Sequence, residues 1–296
     1  MSNPSPVKPE PSPTLGPLIT DAEAGALDTG PSTPPVSGRR IRILSYNVQV
    51  GISSKRFHHY FTNSWKHFLP YQGRLGNLDS VARFISGFDL VGLQELDAGS
   101  LRSQFINLAQ YLAERSDHPY WYSQTNRNLG KIAQHSLGLL SRFHPHTVVE
   151  HKLPGVIPGR GALEAHFGAE HGTGSLVIML VHLSLGQRAR QMQMEYIAEV
   201  LRDHEHVVVM GDMNCSCHTD EVRRLVRKTR LQEPLATQKT YPSWRPIHAF
   251  DHILVTPGLG VSQVDVYNVN YSDHLPVGVE VVVPEDVKLP QWVSSQ

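Results

Sequence analysis

Four apolar segments of this chain end abruptly in polar residues, and this pattern constrains the possible fold more than any other feature. In one of them, residues 207–210 are apolar and are followed by Gly211, Asp212 and Asn214. A run of this length bounded by glycine is typical of a buried strand. Side chains two positions apart on a strand point the same way, so Asp212 and Asn214 are able to converge on one ligand. The same residues also fit an Asx turn that only closes the strand.

The other three segments end in residues that bind cations or phosphates in many proteins. Residues 41–47 end in Asn47, residues 88–95 end in Glu95, and residues 175–182 end in His182. The carboxylate of Glu95 must reach solvent or meet a cation, because an unpaired buried charge is very costly. Each residue alone is better explained as a strand end whose polar group is satisfied by a loop partner. Four such ends together favour one shared rim.

The C-terminal quarter adds two further polar positions. Asp251 stands just before the short apolar segment 253–255, and Asp273 and His274 stand just before a predicted final strand at 277–283. An adjacent Asp and His is weak evidence in a chain with 17 histidines. The order of all these motifs along the chain is the more specific signal.

That order resembles the endonuclease/exonuclease/phosphatase superfamily of deoxyribonuclease I-like, metal-dependent phosphohydrolases. The matching motifs are, in chain order, Asn47, Gln94 and Glu95, His182, Gly211 to Asn214, Asp251, and Ser272 to His274. The resemblance covers roughly residues 40–284. It implies an α+β fold, a four-layer α/β/β/α sandwich of two mixed β-sheets flanked by helices, with the active site in a cleft at one edge.

The resemblance also implies a division of roles among the acidic and amide residues. Asn47, Glu95 and Asp273 would hold a metal ion, and their oxygen donors suit Mg²⁺ or Mn²⁺. Asp212 would orient or deprotonate the attacking water, and Asn214 would position that water or the phosphate. One departure concerns Gln49, where several nucleases of the superfamily have Asp or Asn. Gln49 keeps a carbonyl oxygen but carries no charge.

The histidines complete the implied site. His274 would contact the non-bridging phosphate oxygens, with Asp251 orienting its ring, and His182 would assist the phosphate or the leaving group. A carboxylate bonded to one ring nitrogen fixes the tautomer and favours the imidazolium. The alternative is that some of these residues are merely hydrogen-bonded at the rim.

Substrate contacts are predicted beside this site. The candidate substrate-binding residues are Asn126, Arg127, His135, Arg160 and Trp244. Residues 58–71 are aromatic and basic together, which fits a loop that stacks nucleobases, a loop that enters a lipid interface, or a hydrophobic lid without a ligand.

Composition predicts one catalytic domain preceded by a tail. Residues 1–38 are rich in Pro, Ser, Gly and Thr and lack an apolar period, so we expect them to be disordered. Residues 39–296 are long enough for one large core and form the predicted catalytic domain. The 27 basic and 27 acidic residues balance, which argues against an electrostatic grip on a long duplex.

Localisation is predicted from segments that the chain lacks and from its two cysteines. The sequence contains neither a signal-peptide pattern nor about 20 consecutive apolar residues, so no transmembrane segment is expected. Cys215 and Cys217 are too close for an unstrained disulfide, and with His218 they still lack a fourth zinc ligand. Reduced thiols favour a cytoplasmic protein, which we expect to be a monomer.

Three functions remain open from the sequence. The first is a Mg²⁺- or Mn²⁺-dependent phosphodiester hydrolase acting on nucleic acid, either endonuclease or exonuclease. The second is a hydrolase of phospholipid or sphingomyelin headgroups, or a small-molecule phosphatase. The third is a non-catalytic binding module, which is disfavoured because the expected acids and both histidines are present.

Overall fold

The computed structural model describes residues 37–49, 73–100, 103, 105–128, 134–155, 159–234 and 238–290, with the backbone alone at 73–75, 127 and 128. Within them the strands are β1 (Gly38–Asn47), β2 (Leu90–Asp97), β3 (Tyr120–Asn128), β4 (Gln134–Ser141), β5 (Thr147–Lys152), β6 (Gly161–Gly168), β7 (Ser175–His182), β8 (His206–Asp212), β9 (Asp251–Val255), β10 (Gly260–Val266) and β11 (Val277–Pro284). The helices are α1 (Gly73–Ile85), α2 (Leu108–Arg115), α3 (Gln187–Leu201) and α4 (Asp220–Thr229).

The strands form two mixed sheets. One sheet has six strands in the order β10-β11-β1-β2-β4-β3, and the other has five in the order β5-β6-β7-β8-β9. The β1–β2 and β7–β8 pairs are parallel, and the remaining pairs are antiparallel. Parallel neighbours end at the same edge of a sheet, so the polar ends of β1 and β2 lie side by side, as do those of β7 and β8.

Apolar side chains fill three layers of core. The two sheets pack against each other through residues such as Ile43, Leu139 and Ile178. Helices α1 and α2 bury their apolar faces on the six-stranded sheet, and α3 and α4 bury theirs on the five-stranded sheet. The predicted four-layer sandwich is therefore confirmed. Full burial of each large apolar side chain contributes about 1.5–3 kcal/mol to this packing.

Residues 101–114 have apolar side chains at helical spacing, which predicts a helix over this range, but helix α2 begins at Leu108. Asn107 is its N-cap, because its side chain accepts hydrogen bonds from the backbone N–H groups of Ala109 and Gln110. Phe105, which the helical period assigns to the buried face, has φ 62° and is 63% exposed. Asn107 sets the start of the helix, although the apolar spacing extends before it, because its side chain satisfies backbone N–H groups that have no partner inside the helix.

Two other elements differ from what the sequence pattern predicts. The apolar spacing of residues 77–85 predicts a helix that begins at 77, but α1 begins at Gly73, four residues earlier. Strand β5 is not predicted, because as an edge strand it has no buried residue and hence no apolar run.

The basic stretch at residues 223–228 has arginines at helical spacing around Val222, Leu225 and Val226, which predicts a solvated helix face. The arginines of α4 lie on an exposed face opposite the buried Val222 and Leu225, so this interpretation is confirmed.

Some predictions concern parts of the chain that the structure does not describe. Residues 1–36 of the predicted tail and the aromatic, basic segment 58–71 lie outside the described residues. Gly38, the last residue of the predicted tail, already pairs with Pro284 as the first residue of β1. Among the described residues, no helix is long and apolar enough to cross a bilayer.

Candidate active site

One row of paired residues crosses four strands of the five-stranded sheet. Gly161 pairs with His182, His182 with Asp212, and Asp212 with Asp251. Paired residues on neighbouring strands lie about 5 Å apart with their side chains on the same face. This face is the one that carries the inter-sheet core, since Leu180 and Met210, two residues back along β7 and β8, belong to it. The register thus brings together three predicted catalytic residues that span 69 positions along the chain, from 182 to 251.

The six-stranded sheet ends at the same place. Asn47 pairs with Gln94 at the ends of the parallel strands β1 and β2. The Oγ of Ser272 donates a 2.7 Å hydrogen bond to the carbonyl oxygen of Asn47. That bond ties the segment containing Asp273 and His274 to the end of β1, just before β11 begins.

A hydrogen bond between Asn47 and Asp212 joins the two sheets at this rim. The Nδ2 of Asn47 donates to Asp212 Oδ2 over 3.1 Å, and both residues are buried. The other carboxylate oxygen of Asp212 accepts from the backbone N–H of Asn214 at 2.9 Å, which is an Asx turn. The Nδ2 of Asn214 donates to the carbonyl oxygen of Leu183 at 2.9 Å. The Asx turn and the shared rim therefore coexist, and the turn helps to hold Asp212 in position.

Asp212 lies at the centre of a ring of polar side chains. Its Oδ2 is 3.7 Å from Nε2 of His182 and 3.9 Å from Nε2 of His274. The Nε2 of His182 is also 3.8 Å from Oε1 of Glu95. These distances are too long for direct hydrogen bonds. They leave room for a water or a phosphate oxygen to bridge the groups.

His274 is oriented from behind by Asp251 and Thr240. Its Nδ1 donates to Asp251 Oδ2 over 2.8 Å, because a carboxylate only accepts. Thr240 Oγ1 donates to the same oxygen at 2.5 Å. The ring of Tyr241 lies against His274, with 4.8 Å between the ring centroids. The unusual composition of residues 241–246 predicts that this segment forms a wall of the cleft, and Tyr241 is its first residue. Sequence reasoning missed Thr240, since no motif distinguishes it from other polar loop residues.

The pKa values of His274 and His182 are shifted in opposite directions. Burial opposes the charging of His274, but the charge of Asp251 and its hydrogen bond raise the pKa of His274 to about 10, with smaller contributions from Asp212 and Asp273. Burial, followed by the charges of Arg160 and His274, holds the pKa of His182 well below its usual value. At neutral pH one imidazolium and one neutral imidazole therefore face Asp212.

Burial, together with neighbouring acidic groups, raises the pKa values of Asp212 and Asp273. Burial raises the pKa of Asp212 to about 7, with the charge of Asp251 and a smaller effect of Glu95 adding to it against the charge of His274. Burial raises the pKa of Asp273 to about 6, and the charge of Glu95 adds to this while His274 opposes it. A cation among these carboxylates would relieve both the desolvation and the repulsion.

Glu95 reaches the mouth of the site through a bulge in β2. The register between β2 and β4 shifts between Leu93 and Leu96, and Glu95 has φ 57°. A bulge with a left-handed residue redirects a side chain away from the normal alternation, at a cost of about 1–3 kcal/mol. The side chain of Glu95 is 31% exposed, whereas that of Asp212 is 3% exposed. Glu95 is therefore the acid that incoming solutes meet first.

Several of the predicted substrate-binding residues lie on one side of His182. The Nη1 of Arg160 is 2.8 Å from Nε2 and 3.0 Å from Nδ1 of His182. Asn126 abuts Gly161, since a Cβ built on Gly161 would be 2.1 Å from Asn126 Oδ1. His135 pairs with the backbone of Arg127, and its charge contributes to the low pKa of His182.

The remaining two predicted substrate contacts are less directly connected to the site. The side chain of Arg127 lies outside the described residues. Trp244 is half-buried on the loop before β9. This loop is fixed by Ser243, whose N–H and Oγ donate to the carbonyl oxygens of Asp273 and Ser272, both at 2.7 Å.

Residues 44–274 match the family model described as the Endonuclease/Exonuclease/phosphatase family. The chain belongs to this family. The match covers most of the chain and includes every residue of the site described above. The predicted family is therefore confirmed, and with it the prediction that the protein is a hydrolase of phosphoric esters.

Solved structures of the endonuclease/exonuclease/phosphatase family share the fold. A family member from Bacteroides thetaiotaomicron has a TM-score of 0.63 at 17% identity, covering 83% of this chain and 98% of its own. A mannosyl-6-phosphatase from the same species gives 0.60 at 18% identity, covering 82% and 99%. The catalytic domain of human Nocturnin with bound sulfate gives 0.59 at 14% identity, covering 83% and 95%. No curated protein sequence matches the chain.

The residues of the site fit the metal on which the endonuclease/exonuclease/phosphatase family depends. The charge of Glu95 acts on Asp273, and Ser272 ties the Asp273 segment to Asn47, so these three residues bring oxygen donors to the same part of the rim. Oxygen is the ligand type preferred by Mg²⁺ and Mn²⁺. The raised pKa values of Asp212 and Asp273 indicate an excess of acidic groups that a cation would balance.

Asp212, Asp251 and His274 also offer ligand atoms within 4.8 Å of one another. The Oδ2 of Asp251 accepts hydrogen bonds from Thr240 and His274 and so orients the His274 ring. The Oδ1 of Asp251 is buried and has no hydrogen-bond partner among the described residues.

Gly211 holds the backbone of this catalytic rim in a conformation that other residues rarely adopt. Its φ is 144°, and a Cβ there would be 1.9 Å from the carbonyl oxygen of Val181. We expect Gly211→Ala to lower the free energy of unfolding by about 2 kcal/mol or more, because strain and overpacking add. Urea denaturation measures this loss.

The matched control for Gly211→Ala is Gly76→Ala. Gly76 lies in α1, and a Cβ there would meet no atom within 4 Å. We expect this substitution to raise the free energy of unfolding by about 0.5–1 kcal/mol, since alanine favours a helix over glycine. Equal effects of the two substitutions would contradict the account of Gly211.

Proposed function

We propose that this protein is a Mg²⁺- or Mn²⁺-dependent phosphodiester hydrolase that acts on nucleic acid. The observation that carries the proposal is the arrangement around Asp212. A buried carboxylate faces a protonated His274 and a neutral His182, with Glu95 at the mouth. These groups match what hydrolysis of an anionic ester needs, namely a base, a cationic partner for the phosphate and a metal-binding acid.

In the proposed reaction Glu95, Asn47 and Asp273 would hold the metal, which when bound would neutralise charge on the phosphate. Asp212 accepts a proton from the water whose oxygen forms the new bond to phosphorus. The bond between phosphorus and the leaving oxygen breaks, and that oxygen takes a proton from solvent. A base works best when its pKa is near the working pH, and burial raises the pKa of Asp212 to about 7.

Five residues position the phosphate in the same proposal, either directly or through a neighbouring side chain. The imidazolium of His274 stabilises charge on the non-bridging oxygens, and Asp251 keeps its Nε2 aimed at the site. Asn214 orients the water or the phosphate. His182 donates through whichever ring nitrogen carries its proton, and Arg160 beside it adds a positive charge on the substrate side.

Nucleic acid is the preferred substrate class because contacts for a long, anionic ligand extend from the site. Arg160, Asn126 and His135 lie on the His182 side, and Trp244 lies on the loop fixed to Asp273. The aromatic and basic composition of residues 58–71 also suits stacked bases. Small phosphate esters are the second candidate, favoured by the balanced charge of the chain and by its likeness to a mannosyl-6-phosphatase.

A substrate panel with Mg²⁺ or Mn²⁺ tests the proposal. We expect the full chain to cleave single-stranded DNA or RNA and bis(p-nitrophenyl) phosphate, with nucleic acid cleavage falling as salt rises because phosphate contacts release counterions. Release of inorganic phosphate from a hexose 6-phosphate alone would favour the small-molecule phosphatase. Cleavage of sphingomyelin alone in detergent micelles would favour the lipid phosphodiesterase. Either outcome would refute the nuclease proposal.

The role of Glu95 as a metal ligand is testable by the metal dependence of the rate. We expect Glu95→Gln to raise the Mn²⁺ concentration for half-maximal activity at least about 10–100-fold, because an anionic ligand is replaced by a neutral one. A metal titration of bis(p-nitrophenyl) phosphate hydrolysis measures the shift. Glu150→Gln, at an exposed position of β5, is the control. An unchanged metal dependence in Glu95→Gln would exclude Glu95 from the ligand set.

A cytoplasmic, monomeric enzyme with a disordered tail completes the proposal, and the tail is shortened from the predicted residues 1–38 because Gly38 already belongs to β1. Burial raises the pKa of both Cys215 and Cys217 to about 11, so the two thiols resist oxidation through a thiolate. Light scattering of the purified chain tests the monomer, and limited proteolysis tests the tail.

A further inference from the structure

A second group of ionisable side chains lies on the outer face of the five-stranded sheet. Glu164 and His166 of β6 point to the same side as Ala162, which packs beneath α3, while Leu163 and Ala165 point to the inter-sheet core. The active-site row is on that opposite, inner face. Glu164 is also three residues along β6 from that row, which corresponds to about 10 Å. This group is therefore separate from the catalytic rim.

Three histidines from different elements converge on Glu164. His151 of β5 places Nε2 2.6 Å from Glu164 Oε2, and His166 places Nε2 2.7 Å from Glu164 Oε1. His204, in the connection between α3 and β8, places Nε2 3.9 Å from Glu164 Oε1. The rings of His166 and His204 are 5.2 Å apart between centroids. The side chains of Glu164, His166 and His204 are 5%, 13% and 22% exposed, so the group is largely shielded but reachable.

We propose that Glu164, His166 and His204 form a binding site for a divalent transition metal ion, with Zn²⁺ as the preferred ion. One ligand atom from each residue lies within 4.8 Å of the other two. Tetrahedral zinc with bonds of about 2.0–2.2 Å separates its ligand atoms by about 3.3 Å. The distances from Glu164 Oε1 to the two imidazole nitrogens, 2.7 Å and 3.9 Å, lie on either side of this value. Small side-chain rotations would make both of them suitable.

The hydrogen bonds of Glu164 show which contacts a metal ion would replace. A carboxylate only accepts, so Nε2 of His166 and Nε2 of His151 each donate to one of its two oxygens. A metal ion held between Glu164 Oε1 and His166 Nε2 would take the place of the proton that His166 shares with Glu164.

His151 is suited to support this site as a partner of Glu164 rather than as a ligand. Its Nε2 contacts the second oxygen of Glu164, and its Nδ1 lies 2.8 Å from the hydroxyl oxygen of Tyr196 in α3. Such outer hydrogen bonds fix the orientation of metal ligands. Two imidazoles and one carboxylate favour zinc over magnesium, which prefers oxygen donors. A bound ion would join the β5–β6 hairpin to the connection after α3, and thus stabilise an exposed edge of the sheet.

Zinc content of variants tests this site independently of catalysis. The protein is the full chain without a histidine tag, carrying Glu95→Gln and Asp273→Asn to weaken the proposed catalytic metal site. After dialysis with equimolar Zn²⁺ and excess Mg²⁺, we expect one zinc per chain by elemental analysis. We expect His204→Gln or His166→Gln to weaken zinc binding at least about 10–100-fold, and His144→Gln, at an exposed histidine outside the group, to leave it unchanged.

Two further measurements keep the proposal falsifiable. Zn²⁺ should raise the Tm of this background protein by several degrees and leave that of His204→Gln unchanged, because only a ligand bound to the folded state stabilises it. Co²⁺ in His204→Cys should show thiolate-to-metal charge transfer in the near ultraviolet, since cysteine replaces one ligand with another. Zinc content and Tm shifts equal in the background protein and in His204→Gln would overturn the proposal. So would a Co²⁺ spectrum without the thiolate band.

Discussion

Replacing Asp212 with asparagine is expected to lower kcat by roughly 10²- to 10⁴-fold, the range that a positioned general base contributes. Asparagine keeps the size of the side chain and one acceptor oxygen but does not accept the proton of the attacking water. The fold should persist. Burial raises the pKa of Asp212, which means that the folded protein disfavours its ionised form, and a neutral asparagine avoids that cost. Loss of activity should therefore accompany an unchanged or higher free energy of unfolding.

The measurement for Asp212→Asn is kcat for bis(p-nitrophenyl) phosphate at saturating Mn²⁺, together with urea denaturation. Asp203→Asn, at an exposed position between α3 and β8, is the matched control and should behave like the unmodified protein. If Asp212→Asn retains more than about a tenth of the activity, Asp212 does not act as the base. A fall in activity that tracks a fall in stability would instead assign it a structural role.

The second large effect concerns His274, whose replacement by glutamine should lower kcat by roughly 10²- to 10³-fold. This is the usual cost of removing one preorganised group that stabilises transition-state charge. Glutamine can donate a hydrogen bond but has no positive charge, whereas Asp251 raises the pKa of His274 to about 10 against the effect of burial. The KM for the substrate should change less than kcat, since the negative charge that His274 stabilises is greatest in the transition state.

Asp251 and His274 should behave as one unit, because Asp251 acts through the His274 ring. We expect Asp251→Asn to lower kcat to a similar degree, and the double substitution to cost little more than either alone. His248→Gln is the control, since this exposed histidine stacks on Phe250 with 5.0 Å between ring centroids and makes no contact with Asp251 among those described. Fully additive losses would mean that Asp251 does not orient His274.

Individual strands and helices follow from features that are local in the sequence, whereas the four-layer sandwich was implied by the family resemblance. The apolar runs that became β7 and β8 are buried along their whole length, so their pattern alone predicts central strands. The start of α2 could not be predicted from the apolar pattern. Asn107 and the left-handed Phe105 set this start, and neither residue interrupts the apolar period. The edge strand β5 was not predicted from the sequence, because an exposed edge strand needs no run of apolar residues.

By itself, the sequence determined which residue types stand at the strand ends, their order along the chain, and through that order the family. Only the tertiary structure decided which of those side chains meet. The register that aligns His182, Asp212 and Asp251, the bulge that aims Glu95, and the Thr240 hydrogen bond that steadies Asp251 all depend on contacts between distant segments. The group around Glu164 on the outer face of the sheet was likewise decided only by the tertiary structure. Among 17 histidines, no spacing marks the three that meet this carboxylate, His151, His166 and His204. The physical reason is that burial and charge act through space, so the properties of a side chain depend on neighbours that the linear order does not reveal.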